Sequence, residues 1–256
     1  CNYPVALETI AKDFGLYGWS NRVPIFREEI KSTEETIKEK ERTRFTVRFR
    51  KWNLIDAKYW KQYYITREVL EIFKVNPVKI IWINDKEIPS YIYTDEDPCY
   101  AYQFPDKTVK LYFPFRTKDQ TRFWNNSTYI QGLQILPDKG ENLILTKSFK
   151  DLMSMYIFEI PAIAPQAETN IIEAELIRSL KDRFDNIYSL FDWDRAGIKG
   201  ALKLKREYGI EPLFFTNTKK CNFLKSKVRI NFEEKDFTDN LKTYGKDIKN
   251  FFQDLV

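Results

Sequence analysis

The chain has 256 residues, 42 of them Lys or Arg against 37 Asp or Glu, for a net charge of +5; 43% are hydrophobic and 31% charged. That composition gives one or two globular domains with a real core and excludes a disordered polymer. Histidine is absent, which excludes Ser-His-Asp and Cys-His nucleophiles, imidazole bases and His-ligated zinc, and leaves carboxylates, Lys, Arg, hydroxyls and oxygen-held metal for any chemistry.

Residues 1–43 read as helical and polar: Val5–Phe14 as a short amphipathic helix, Ser32–Arg42 as a charged surface helix or linker. Arg44–Lys51 then alternates basic and apolar residues, which predicts a strand with one wet, positive face. Asp56–Tyr64 and Thr66–Phe73 read as helices. Val78–Ile83, Ser90–Thr94, Ala101–Phe104 and Lys110–Phe115 read as strands, punctuated by Pro89, Pro98, Pro105 and Pro114. From Glu141 the pattern changes. Leu143–Thr146, Ala162–Ala164, Ile187–Phe191 and Pro212–Phe215 read as strands, and Phe149–Phe158, Ile171–Phe184 and Gly197–Tyr208 as the helices between them. This alternation predicts βαβ units on a mainly parallel sheet. With Pro137 and Gly140 as breakers, the chain divides into a helical segment 1–43, a basic α+β subdomain 44–138 and an α/β domain 139–256.

Cys1, Cys99 and Cys221 form no C-x-x-C pair, so neither a zinc knuckle nor a redox motif is expected. No apolar run approaches the roughly 20 residues of a membrane span and no signal h-region opens the chain, so no membrane and a cytoplasmic location are expected. A P-loop is also missing.

Ligands of parallel α/β sheets sit outside the carboxyl ends of the strands, and three acidic groups fall there. In Leu190-Phe-Asp-Trp-Asp-Arg-Ala-Gly197, Asp192 and Asp194 lie two residues apart, on one side for as long as the strand continues. Gly197 lets the chain turn closely into the next helix. Paired hard oxygens suit Mg²⁺. The second group is Lys235-Asp-Phe-Thr-Asp239, with Asp236 and Asp239; the third is Lys147-Ser-Phe-Lys-Asp151 at the first strand-to-helix turn. Any one of them could instead cap a helix N-terminus.

The string Phe191-Asp-Trp-Asp-Arg-Ala-Gly197, followed by Lys235-Asp-Phe-Thr-Asp239, resembles the Toprim domain shared by DnaG-type primases, topoisomerases and some nucleases. Lys110-Leu-Tyr-Phe-Pro-Phe-Arg116 with Thr121-Arg-Phe-Trp-Asn-Asn-Ser127 is similar to the primase segment that holds incoming nucleotide and template. Tyr3–Gly15 resembles the tail of the primase zinc-binding module, and Tyr59-Trp60 with Ile65–Val75 the phage variety of the core. The resemblance implies a bacteriophage-like DNA primase core that makes RNA primers on single-stranded DNA by metal-dependent nucleotidyl transfer. Its site would contain Asp192, Asp194, Glu168 and Lys147, with Asp192, Asp194, Asp236 and Asp239 holding two or more Mg²⁺ or Mn²⁺ ions. Asp151, Gly197 and Lys235 would be further Toprim positions. Lys110, Arg116, Arg122 and Asn125, together with Arg48 and Arg50 of the basic strand, would contact nucleotide or template. The implied partners are single-stranded DNA, ribonucleoside triphosphates and a replicative helicase, fused or separate, in the host cytoplasm for a phage protein.

Three departures stand out. No zinc ligands are present, so a zinc-binding module is expected outside these residues. Lys147-Ser148 replaces the usual Glu-Gly at the first strand tip, and the third motif is spaced Asp236-x-x-Asp239. Glu168, after the second strand, either restores the lost carboxylate, with Lys147 pairing with a phosphate or with Asp192, or caps the helix starting near Thr169. Residues 38–51 hold seven Lys and Arg against two Glu, interleaved with Phe45, Phe49 and Trp52 nearby, a pattern that suits single-stranded nucleic acid but also an ordinary half-buried strand. A Toprim nuclease or topoisomerase fragment and a non-catalytic nucleic-acid-binding module are the alternative readings.

Overall fold

A computed structural model describes residues 43–117, 119–166, 172–192, 194–216, 229–231 and 237–245. The expected helices before residue 43, and Glu168, Lys235 and Asp236, lie outside the described residues.

The first sheet is antiparallel. It contains β1 (Phe45–Phe49), β2 (Val75–Ile83), β3 (Tyr91–Ile92), β4 (Tyr100–Gln103), β5 (Val109–Tyr112) and β6 (Phe123–Asn125), ordered β1-β2-β4-β5-β6 with β3 on β2. Alternation in β1 is real as far as Arg48: Phe45 and Val47 pack against a core of Val78, Ile81, Leu111 and Phe113, while Thr46 and Arg48 are exposed. The register then slips between Arg48 and Phe49, and a one-residue slip swaps faces. Phe49 is left 40% exposed and the Arg50 side chain turns inward. The single positive face expected over 44–51 therefore ends at Arg48.

Between β1 and β2 run α1 (Leu54–Lys61) and α2 (Arg67–Ile72). The Asn53 side chain accepts from the Asp56 N–H and Asp56 accepts from the Asn53 N–H, a reciprocal cap that sets where α1 begins. Thr66 caps α2 from one side only, its hydroxyl accepting from the Val69 N–H. The expected strand Lys110–Phe115 stops at Tyr112, and β6, too short to show a pattern, exists through pairing with β5.

The second sheet is parallel throughout: β7 (Gly140–Leu145), β8 (Ala162–Ile163), β9 (Phe184–Leu190), β10 (Glu211–Thr216) and β11 (Arg229–Asn231), ordered β11-β10-β9-β7-β8. Its helices are α3 (Phe149–Tyr156), α4 (Ala174–Lys181), α5 (Arg195–Tyr208) and α6 (Phe237–Tyr244). The helix expected over Ile171–Phe184 is shorter, because Phe184 already belongs to β9. At the end of α5, Gly209 takes φ +70° and its N–H donates to the Lys205 carbonyl at 2.9 Å, a left-handed stop suited to glycine.

Over Leu143–Leu145 β7 is buried on both faces, as expected of a central parallel strand. Leu143 and Leu145 face Ile177 and Leu180 of α4 and Ala201 and Leu204 of α5. Ile144 faces the other way, into a core shared by the two sheets, where Phe149 and Leu152 of α3 meet Tyr59, Trp60, Phe73, Tyr100 and Tyr102. The Phe149 ring lies 4.5 Å from Tyr102 and 5.4 Å from Phe73. Among the described residues no helix is long and apolar enough to cross a membrane.

Candidate active site at the strand ends

The strand order places the site. From β7 the chain passes through α3 to β8 on one flank, then returns across to β9 on the other flank and continues outward. Its direction reverses between β7 and β9, and a crevice forms at the carboxyl ends of strands where order reverses. Lys147 follows the end of β7 by two residues and Asp192 the end of β9 by two. They meet there, the Lys147 ammonium donating to Asp192 Oδ2. The Asp192 side chain is 1% exposed and that of Lys147 25%.

Asp192 is held by its backbone. A Cβ on Gly197 would fall 2.3 Å from the Asp192 carbonyl oxygen and 2.9 Å from its nitrogen, so only glycine lets the first turn of α5 press this close. The Asp194 N–H adds a bond of 2.8 Å to the Asp192 carbonyl. Asp194 itself corrects the expectation of two side-by-side carboxylates. β9 ends at Leu190, so strand alternation does not reach Asp194, and its Oδ1 accepts the N–H groups of Ala196 and Gly197 at 3.1 and 3.0 Å as the N-cap of α5.

Asp151, in the first turn of α3, is also buried. Its N–H donates to the capping Ser148 hydroxyl at 3.0 Å. Its carboxylate accepts the Thr146 hydroxyl at 3.3 Å, the Thr238 N–H at 3.3 Å and the Thr238 hydroxyl. Burial raises its pKa above the ordinary 3.8, helped by nearby Asp192 and opposed by Thr238, Lys150 and Ser148. Asp239 in α6 forms an ion pair with Lys150 at 3.9 Å, and the Lys150 ammonium lies 4.1 Å from the centre of the Tyr63 ring.

The residues assigned to nucleotide or template separate on inspection. Arg50 gives both terminal nitrogens to Asp56 at 2.7 Å and sits 3.9 Å from the Tyr93 ring centre. Arg116 grips Asp97, its shortest contact 2.7 Å, and stacks 3.5 Å from the Phe113 ring centre. Asn125 bonds to the main chain of Ser127 in both directions, at 3.0 and 3.1 Å. These three side chains are engaged within the fold. Arg122 reaches the Tyr112 hydroxyl and the Pro114 carbonyl at 3.4 and 3.3 Å, while Arg48 stays exposed, 6.0 Å from the Trp82 ring centre. Lys110 is buried, donates to the Gln166 carbonyl at 3.1 Å and has its pKa lowered to about 8 by desolvation. Thr238, Lys150 and Gln166 are partners that the sequence reading missed, each distant in sequence from its contact. It also missed a groove along α5, where Arg195, Lys199, Lys203 and Arg206 flank Ile198 and Leu202 beside Asp194. The recurrence of cations every three or four residues was the available signal.

Solved structures share this course of the chain. The Aquifex aeolicus primase, in its zinc-binding and RNA polymerase domains, matches over 79% of this chain and 56% of its own, with a TM-score of 0.53 and 13% identity. The Escherichia coli primase catalytic core matches over 78% and 72%, with a TM-score of 0.52 and 14% identity. A DnaG primase catalytic domain bound to single-stranded DNA matches over 78% and 74%, with a TM-score of 0.51 and 14% identity. The fold is that of a DnaG-type primase core. This chain spans little more than half the length of the Aquifex chain. No protein-family model matches the sequence, and no curated protein matches it.

On this primase-core fold, the sequence resemblance implies divalent ions at the strand ends. A Mg²⁺ or Mn²⁺ ion needs hard oxygens converging on one point. Among the described residues no group of three His, Cys, Asp or Glu side chains is placed to hold a metal. Asp192 already carries an ammonium, Asp194 Oδ1 is turned to its own helix, and Asp151 is gripped by hydroxyls. As arranged, the described donors do not fit a resident divalent ion.

Proposed function

We propose that the chain is the nucleotidyl-transfer core of a DNA primase, with its parallel sheet a Toprim domain. It would make short RNA primers on single-stranded DNA from ribonucleoside triphosphates and work with a replicative helicase, fused or separate. The observation that carries this reading is the buried Asp192 at the order-reversal point of a sheet whose chain has the primase-core fold. In primer extension a 3′-hydroxyl oxygen bonds to the α-phosphorus, the α–β phosphoanhydride bond breaks, pyrophosphate leaves and the hydroxyl proton passes to solvent. The protein's work is positioning and the neutralising of phosphate charge, which lysine and arginine do without histidine. Lys110, Lys147 and the cations along α5 are the residues of this chain suited to that work.

The test is synthesis of labelled primers from ribonucleotides on single-stranded DNA, with Asp192→Ala as control. Primers that vanish in the control support the reading; primers made equally by Asp192→Ala sink it. Nicking of DNA with divalent ion and no nucleotide would favour a Toprim nuclease instead. The Lys147–Asp192 pair specifically favours a second reading, a non-catalytic binder of single-stranded nucleic acid, because it neutralises the central carboxylate. That reading expects template binding that weakens steeply with salt and no primer at all.

A further inference from the structure

We propose that the outer face of α5 grips the sugar–phosphate backbone of a nucleic-acid duplex, the primer–template hybrid that the strand-end site would produce. The inference rests on the proposed function in naming that duplex as the product; the surface is argued from α5 alone.

Four cations line this face: Arg195, Lys199 and Arg206 are exposed and Lys203 is half-buried. At 3.6 residues per turn they fall within about a quarter of the helix circumference. Their placement works against the helix. Arg195 with Lys199, and Lys199 with Lys203, are like charges four residues apart, an unfavourable spacing. The first turn of α5 holds no acidic residue, and Arg195 stands there at the positive end of the helix dipole. Among the described residues Arg206 pairs with Glu207 at 3.2 Å, and Lys205, on the flank, with Glu211 at 2.8 Å; Arg195, Lys199 and Lys203 have no carboxylate partner. A row of charge that weakens its own helix, uncompensated within the described fold, points to an anion outside it.

Geometry selects the anion. At 1.5 Å per residue, Arg195 to Arg206 spans about 16 Å, or roughly five steps of one strand at 3.4 Å each. Such a row matches a run of phosphates rather than an isolated one. Between the cations stand Ile198 and Leu202, the latter 41% exposed, an aliphatic floor suited to sugar carbons. None of the described residues lining the groove is aromatic, whereas a single strand calls for aromatic platforms under its unpaired bases. A duplex keeps its bases inside and offers backbone alone. Arg195 follows the buried Asp192 by three residues, so the row begins beside the strand-end site and leads away along α5. Backbone contacts carry no sequence information, so α5 would hold any short primer on its template at the site, whatever its sequence.

The test is fluorescence anisotropy of a labelled RNA–DNA hybrid about one helical turn long, on the whole chain without nucleotide, with salt varied from about 50 to 200 mM. Lys199→Gln with Lys203→Gln is expected to bind at least about tenfold more weakly at the lowest salt and to flatten the logarithmic salt slope by about 2, one for each lost phosphate contact. Lys199→Arg with Lys203→Arg should keep both affinity and slope. A control pair of equal charge loss, Lys58→Gln with Lys61→Gln on the exposed side of α1, should change neither. Unchanged binding by the α5 glutamine pair overturns the inference, and so does an equal loss in the α1 pair, which would make the effect one of net charge. Single-stranded DNA of the same length that loses as much affinity as the hybrid overturns the assignment to a duplex. Polyglutamate that is bound through Lys199 and Lys203 while the hybrid ignores them gives the face to an acidic protein and likewise overturns it. No bond is made in this assay, so a chain that holds the hybrid through α5 but makes no primer leaves the inference standing, and primer synthesis by a chain whose α5 ignores the hybrid leaves the proposed function standing.

Discussion

Thr238 of α6 grips the carboxylate of Asp151 in α3 with both its hydroxyl and its N–H, across 87 residues of sequence. Both residues are almost wholly out of water. Thr238→Val keeps the shape and removes the hydroxyl donor to a buried carboxylate. The expected loss is about 1.5–3 kcal/mol, the range for hydrogen bonds to charged groups. Urea unfolding checks this, and a midpoint no different from wild type would show the contact to be idle.

Lys110 gives the clearest pH signature. Burial lowers its pKa to about 8, well below the ordinary 10.5 of a solvated lysine. The unfolded chain thus holds the proton more strongly than the folded one, so stability rises with pH between about 8 and 10.5 and carries the full burial cost below that window. Lys110→Met removes the charge and should be more stable at pH 7 by up to about 3 kcal/mol, less what the lost bond to Gln166 takes back. The gain should shrink through the same window. Thermal melts of both proteins from pH 7 to 10 test it, and a constant difference would contradict the assignment.

Arg50 and Arg48 should behave as opposites although they are two residues apart. Asp56 is fully buried and accepts two bonds from Arg50 and one of 2.8 Å from the Tyr100 hydroxyl. Arg50→Ala strands that carboxylate, an expected cost of about 3–5 kcal/mol, while the paired change Arg50→Met with Asp56→Asn should cost far less. Arg48→Ala, on the exposed side of the bulge, should leave stability within about 0.5 kcal/mol. Denaturation curves of all three variants suffice, and an Arg50→Ala protein as stable as wild type would refute the structural role given to this pair.

Gly197→Ala should be costly for a reason unrelated to helix propensity, since alanine is the better helix former. The new methyl group would overlap backbone atoms of Asp192, which cannot swing aside as a side chain would. We expect a loss of at least about 1–3 kcal/mol, the scale of overpacking, accompanied by looser pairing of Lys147 with Asp192. The melting temperature reports the first effect and the Lys147 ammonium resonance the second. A stabilised variant would show that the α5 turn relaxes freely.

How much of this was legible in the sequence follows from the range of each interaction. The alternation of β1 and the apolar run of β7 announce their strands, because period and burial are local properties. The slip between Arg48 and Phe49 is set by pairing with β2, so no local signal could warn that Arg50 turns inward. Asp192 and Asp194 were visible as a pair, but their geometry was not. Once β9 stops at Leu190, capping of α5 competes for Asp194 and wins. Lys147 stood out as an odd residue at a strand tip with either a phosphate or Asp192 as its expected partner, and the neighbouring of β7 and β9 gives it Asp192. The same holds for Arg116 and Asp97, partners joined across 19 residues of strand and turn.

Phe149, lodged between Tyr102 and Phe73, ties the parallel sheet to the antiparallel one through a single apolar mass. Heat therefore finds no seam along which one sheet could loosen while the other stays intact. Calorimetry of residues 43 onward should show one endotherm, with calorimetric and van't Hoff enthalpies that agree, and amide exchange in β4 and β7 should slow or quicken together.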